Sequence, residues 1–183
     1  LYSSGAVAIY VLGDEDDDTD EFDSSVLHHE FGHFIEDSLS RSESIGGAHT
    51  IGDPVDMRVA FGEGFGNAFA GMSSGDPVYR DTYGPSQNNG FYFSIEHNNQ
   101  GGGYYNEGVV HAILWDIFDD TNDSPDNLSL GFAPILSAIM SDDYLNFDGF
   151  TTIYSFISTL KAQQPSATAA LNSLLNYHAI YGT

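Results

Sequence analysis

Apolar residues along this chain fall into two kinds of run. One is short and continuous: residues 6–12 (AVAIYVL), rich in branched side chains, predict a buried strand that Gly13 breaks. The other recurs with helical spacing. Val26, Leu27, Phe31, Phe34, Ile35 and Leu39 predict a helix over 24–39, with Ser24 or Ser25 as its cap. Residues 40–53 are polar and contain glycine, which predicts a loop. Asp53 followed by Pro54 reads as a cap and first helical position, so a second helix is expected over 54–70. Its apolar positions are Val55, Val59, Phe65, Ala68 and Phe69. Gly62, Gly64 and Gly66 weaken it but permit close approach of another backbone or a ligand.

Residues 71–105 are rich in Gly, Ser, Asn, Tyr and Asp and predict a long loop, broken by a short strand at 91–95. Residues 106–118 (NEGVVHAILWDIF) are apolar almost all round and predict a buried helix. An acidic linker at 119–127 leads to three more helices, over 133–140, 150–161 and 166–179. There is no internal repeat. The pattern predicts an α+β, helix-rich fold, with a small β-sheet beside the helix over 24–39 and a mostly helical C-terminal part. One domain is expected over 1–183, with 1–120 carrying the site and 121–183 a helical subdomain that completes the far wall of a cleft.

Charge narrows the function. The chain has 27 Asp and Glu against 4 Lys and Arg, a net charge of -23, which leaves no cationic footprint for nucleic acid or anionic lipid. There is no cysteine, so disulfides and thiolate metal sites are excluded. No apolar run has the roughly 20 residues that a membrane helix needs. The first residue is Leu1 rather than Met, and the chain reads as a fragment of a longer protein. Acidic, cysteine-free, tyrosine-rich and apparently trimmed, it is expected to be secreted or at the cell surface.

The chemistry centres on His29-Glu30-Phe31-Gly32-His33. Residues four apart share a helix face, so His29 and His33 can grip one metal ion, and imidazole suits zinc at roughly 2.0–2.1 Å. Glu30 can take a proton from water held by the metal and pass it to a leaving amine. His28 lies five residues from His33 and points elsewhere. A catalytic zinc takes three protein ligands and keeps one open position. A third histidine six residues past His33 is absent, since Leu39 stands there and Glu36 stands where the metzincin glycine would be. The next candidate is Glu63, an acid among glycines and phenylalanines on the second helix. Asp53, Asp56 and Glu107 are fallback ligands. Asn67, one turn past Glu63, is placed to hold a ligand histidine by its second nitrogen.

In order, the strand at 6–12, the acidic loop, the HEFGH helix and the EGFGNAF helix with its glutamate resemble the gluzincin zinc metallopeptidases, thermolysin-like in the broad sense. The resemblance covers roughly residues 6–120. The chain departs from thermolysin in the longer gap between His33 and Glu63 and in overall size. The resemblance implies a zinc peptidase acting on peptide or protein substrate, with residues 6–12 or 91–95 pairing with an extended peptide. It also implies a histidine or tyrosine near the developing oxyanion. The segment Asn106–His111 is similar to the one that carries this histidine, so His111 is expected there, with Tyr104 and Tyr105 behind it.

The acidic stretch at 14–23 offers Asp14, Asp16, Asp18 and Asp20 to calcium, although it lacks the EF-hand pattern. Asp119, Asp120, Asp123 and Asp126 form a second acidic group. His49, His97 and His178 have no partner pattern and read as structural or surface residues. No serine or cysteine nucleophile motif and no phosphate-binding loop is present. Two other functions fit the residues: a non-catalytic zinc- or calcium-binding surface module, and a zinc hydrolase of non-peptide amides. Glu30 separates the first of these from a peptidase, because ligation alone does not require it.

Overall fold

The computed structural model describes residues 1–97, 101–121 and 127–182. Three helices carry the architecture: α1 (Ser24–Leu39), α2 (Met57–Ser74) and α3 (Glu107–Phe118). Helix α2 is central, with α1 against one side and α3 against the other. Its middle is buried all round, so its sequence shows little amphipathic pattern. Two small antiparallel hairpins flank α1: β1 (Tyr2–Ser3) with β2 (Ala8–Ile9), and β3 (Val78–Tyr83) with β4 (Asn89–Ser94). The rest is helical: α4 (Phe132–Ile139), α5 (Asp142–Leu145), α6 (Ile153–Gln163) and α7 (Thr168–Tyr177). Ile135, Ile139, Phe156, Ile157, Leu171 and Leu174 from these helices join Phe61, Phe65, Val110 and Ile113 in one hydrophobic core. The fold is α+β and helix-rich.

Helix α1 spans the expected residues but turns a different face inward. Val26, His29, Gly32 and Glu36 are buried, whereas Phe31 and Leu39 are exposed. The face against α2 is therefore polar, which fits a site rather than a core. Asp23 occupies the cap position, but its carboxylate accepts from the backbone N–H and hydroxyl of Thr82. Helix α2 starts three residues later than expected. Asp56 caps it, accepting from the Arg58 N–H, while Asp53 accepts from the N–H and hydroxyl of Thr50. Asp53 and Asp56 are thus used as turn and cap residues and do not reach α1.

The strand expected over 6–12 shrinks to Ala8–Ile9, paired with Tyr2–Ser3. Val7, Tyr10, Val11 and Leu12 are exposed, because among the described residues no layer packs over this hairpin. Strand β3 lies in what the sequence presents as loop, since Arg80 and Asp81 interrupt its apolar pattern. In the C-terminal part, Thr152 and Ser155 form a capping box that starts α6 later than expected. Pro165–Ala167 forms a 3-10 turn that delays α7.

Glycine sets the spacing of the central helices. A Cβ on Gly66 would sit 2.9 Å from the ring of His29. One on Gly64 would sit 2.5 Å from Val110 Cβ on α3. The first close approach seats a histidine of α1 on α2, and the second seats α3.

Candidate metal centre

His29 and His33 project one turn apart from α1, with their rings edge to face at 4.6 Å between centroids. Their Nε2 atoms are 2.9 Å apart. Glu63, from the middle of α2, brings Oε2 to 3.3 Å from His29 Nε2 and 3.5 Å from His33 Nε2. Ligands about 2.05 Å from a tetrahedral metal are separated by about 3.3 Å. The triangle formed by two imidazole nitrogens and one carboxylate oxygen therefore fits zinc in size and donor type. All three side chains are largely buried. Burial works to raise the pKa of Glu63, but the imidazoles of His29 and His33 beside it outweigh burial and hold the carboxyl far below the usual range.

Asn67 lies one turn beyond Glu63, and its Oδ1 is 2.9 Å from His29 Nδ1. An amide oxygen only accepts, so Nδ1 carries the proton and Nε2 presents its lone pair to the triangle. Asn67 also neighbours Glu107, the first residue of α3, and works to lower its pKa. Glu107 is only 4% exposed, and burial pushes its carboxyl up to about 7 against the pull of His49. Glu30, next to His29, lines the same cleft as the triad, and one of its carboxylate oxygens accepts from the backbone N–H of Tyr2.

Two adjoining clefts meet at the triad. One, of about 530 Å³, is walled by Tyr2, Glu30, His33 and the 42–49 loop. The other, of about 700 Å³, runs past Tyr79, Phe91, Tyr92 and Phe93. His29, Glu63 and His49 line both. No described residue beyond Glu107 lines either, so the C-terminal helices support the core instead of forming the far wall. Residues 6–12 also stay outside the clefts, whereas β4 borders the second one.

His111, expected beside the oxyanion, is instead 1% exposed and stacked on Phe93 within the core. It lies on the apolar interior of α3, where burial pushes its pKa down to about 3. Tyr105 is 43% exposed and, like Tyr104, lines neither cleft. The residue that does reach the triad is His49. Its Nε2 lies 3.4 Å from Glu63 Oε2 and 3.5 Å from Glu107 Oε2. Gly46 and Gly47 take positive φ just before it and bend the loop back onto α2. No periodicity marks a histidine in such a loop; the paired glycines ahead of it are the available signal. His97 is exposed and His178 buried, both away from the triad.

The sequence matches the family model of the mycolysin C-terminal domain over residues 5–174. The chain belongs to this family. Searches of curated proteins and of solved structures find no match. The mycolysin C-terminal domain is associated with metallopeptidases of the thermolysin-like type. Proteins that carry it are typically secreted, and no described helix here is long and apolar enough to cross a membrane.

In this mycolysin-type domain the acidic loop folds so that Asp18 and Asp20 meet Asp81 of β3. Asp14 and Asp16 stay exposed and outside that group, in a tight turn where the Asp18 N–H returns to the Asp14 carbonyl. Asp81 was not among the residues the sequence pointed to. Burial, then the charges of Asp20, Asp18 and Asp23, push its carboxyl up to about 6. Burial and Asp18 also raise Asp20. Asp18 Oδ1 is buried without a hydrogen-bond partner. Of the second acidic group, Asp119 caps the end of α3 and accepts from the Thr121 N–H, and Asp120 is exposed. Asp123 and Asp126 lie outside the described residues.

Proposed function

We propose that this chain is the catalytic part of a secreted zinc peptidase that hydrolyses peptide bonds. The observation that carries the reading is the convergence of His29, His33 and Glu63 at the spacing of a tetrahedral site, beside Glu30 on a shared cleft. Zinc held there would supply Lewis acidity and bring the pKa of a coordinated water toward about 7. Glu30 takes a proton from water as the water oxygen bonds to the peptide carbonyl carbon. It then gives that proton to the amine nitrogen as the C–N bond breaks. Asn67 holds His29 in the tautomer that ligation needs. The edge of β4 that does not pair with β3 offers main-chain groups to an extended peptide, with Phe91 and Phe93 as an apolar wall. The net charge of -23 steers cationic and neutral substrates in preference to acidic ones. The test is cleavage of dye-labelled casein. A chelator should abolish it and stoichiometric zinc restore it; cleavage that survives complete metal removal would overturn the reading.

We propose calcium for the group of Asp18, Asp20 and Asp81, which offers hard oxygen ligands with unrelieved repulsion. The folded pKa of Asp81 stands above its unfolded value of about 3.9. Between roughly pH 4 and 6 the folded chain therefore holds a proton that the unfolded chain has released. Its contribution to stability is lost as pH rises through that window. In metal-free buffer, the wild-type Tm relative to Asp81→Asn should fall from pH 4 to pH 6. Millimolar calcium at pH 7 should raise the wild-type Tm and leave that of Asp81→Asn unchanged. An equal calcium response in both proteins would remove the site.

A further inference from the structure

Hydrolysis moves negative charge onto the carbonyl oxygen, and a preorganised donor must meet it. His111 is inside the core and Tyr105 is outside both clefts, so neither does so. His49 has the required position. It lines both clefts at their junction, where a peptide passing from one to the other crosses the triad. It contacts Glu63 from outside the triad and groups with Glu63 and Glu107, not with His29 and His33. Its ligand nitrogen is thus set apart from those of the two ligand histidines.

Its ring is also held in place. His49 Nδ1 is 3.0 Å from the carbonyl oxygen of Gly47, which only accepts. Nε2 faces the carboxylate oxygens of Glu63 and Glu107. These three contacts orient the ring with its Nε2 edge in the junction. Glu107 thus lies between His49 and Asn67, the residue that backs His29.

We infer that His49 is the catalytic residue whose Nε2–H meets the oxyanion of the tetrahedral intermediate, with Glu107 and the Gly47 carbonyl as its positioning groups. The inference rests on the peptidase reading above. It places a catalytic histidine in the loop between α1 and α2, not on α3.

The test compares wild type, His49→Ala and His49→Gln for zinc content, the visible spectrum of the cobalt-substituted protein, and kcat and KM on dye-labelled casein. His49→Ala should keep its zinc and an unchanged cobalt spectrum. Its kcat should fall about 10²–10³-fold, with KM within about threefold of wild type. His49→Gln, whose amide puts an N–H near the lost one, should recover part of that loss. Unchanged kcat in His49→Ala would overturn the inference. So would a loss carried by KM. An altered cobalt spectrum, or two zinc ions in wild type falling to one in the variant, would make His49 a metal ligand and overturn it too. A failed peptidase reading shows itself in the wild-type protein, which would then bind zinc without cleaving casein. A failed inference shows itself only in the variant.

Discussion

Glu30→Gln should retain zinc and lose turnover. Glu30 lies outside the ligand triangle, so the substitution leaves His29, His33 and Glu63 in place. The glutamine side-chain oxygen can still accept from the Tyr2 N–H, as the carboxylate does. What disappears is the basic oxygen that takes a proton from water and the acid that returns it. Positioned acid–base groups contribute about 10²–10⁴-fold in rate. That corresponds to about 3–5 kcal/mol of barrier at 1.36 kcal/mol per decade. Initial rates on dye-labelled casein, with zinc measured on the same sample, report both halves of the expectation. Activity within about threefold of wild type would refute the role of Glu30. Loss of zinc from the variant would make Glu30 part of the metal site instead.

Gly64→Ala should destabilise the fold markedly. A Cβ there would lie 2.5 Å from Val110 Cβ, 2.6 Å from Val110 Cγ1 and 2.9 Å from the carbonyl oxygen of Glu107. A rotamer change can move Val110 Cγ1, but Val110 Cβ and the Glu107 carbonyl move only with α3. Overpacking in a dense core costs about 1–3 kcal/mol and sometimes more, and the contact with backbone puts this site at the upper end. Alanine returns about 1 kcal/mol through its higher helix propensity. The net loss of about 2 kcal/mol or more lowers Tm by about 4–8 °C in a chain of this size. Displacing α3 also displaces Glu107, so the variant should lose part of its activity below its Tm. Gly5→Ala is the control, since a Cβ there meets nothing within 4 Å. Equal Tm values for the two variants would contradict the packing argument.

The two substitutions also mark what the sequence could and could not show. Helical spacing is local, so α1, α2 and α3 were legible, as was the face shared by His29 and His33. Glu63 stood out because an acid among Gly62, Gly64, Phe65 and Gly66 has to meet something other than core, and Asn67 followed by helical arithmetic. Long-range geometry was not legible. Asp81 reaches the acidic loop only because β3 pairs with β4 and lies against the 3-10 turn at Asp20–Phe22. His49 reaches Glu63 only because a loop with no apolar pattern folds back over α2. His111 was placed by similarity of its segment, and the apolar surround that made α3 recognisable as a buried helix is what keeps that histidine away from the clefts. The branched apolar composition of the 6–12 run predicts burial, but composition does not say what packs on it, and Val7, Tyr10, Val11 and Leu12 are exposed.

The central claim is that His29, His33 and Glu63 form one zinc site. The most direct measurement is zinc per chain by elemental mass spectrometry, after loading and exhaustive dialysis, for wild type and Glu63→Ala. One zinc in wild type, with the variant depleted, is the expected result for a three-ligand site. No zinc in the loaded wild type, or full retention in Glu63→Ala, would contradict it.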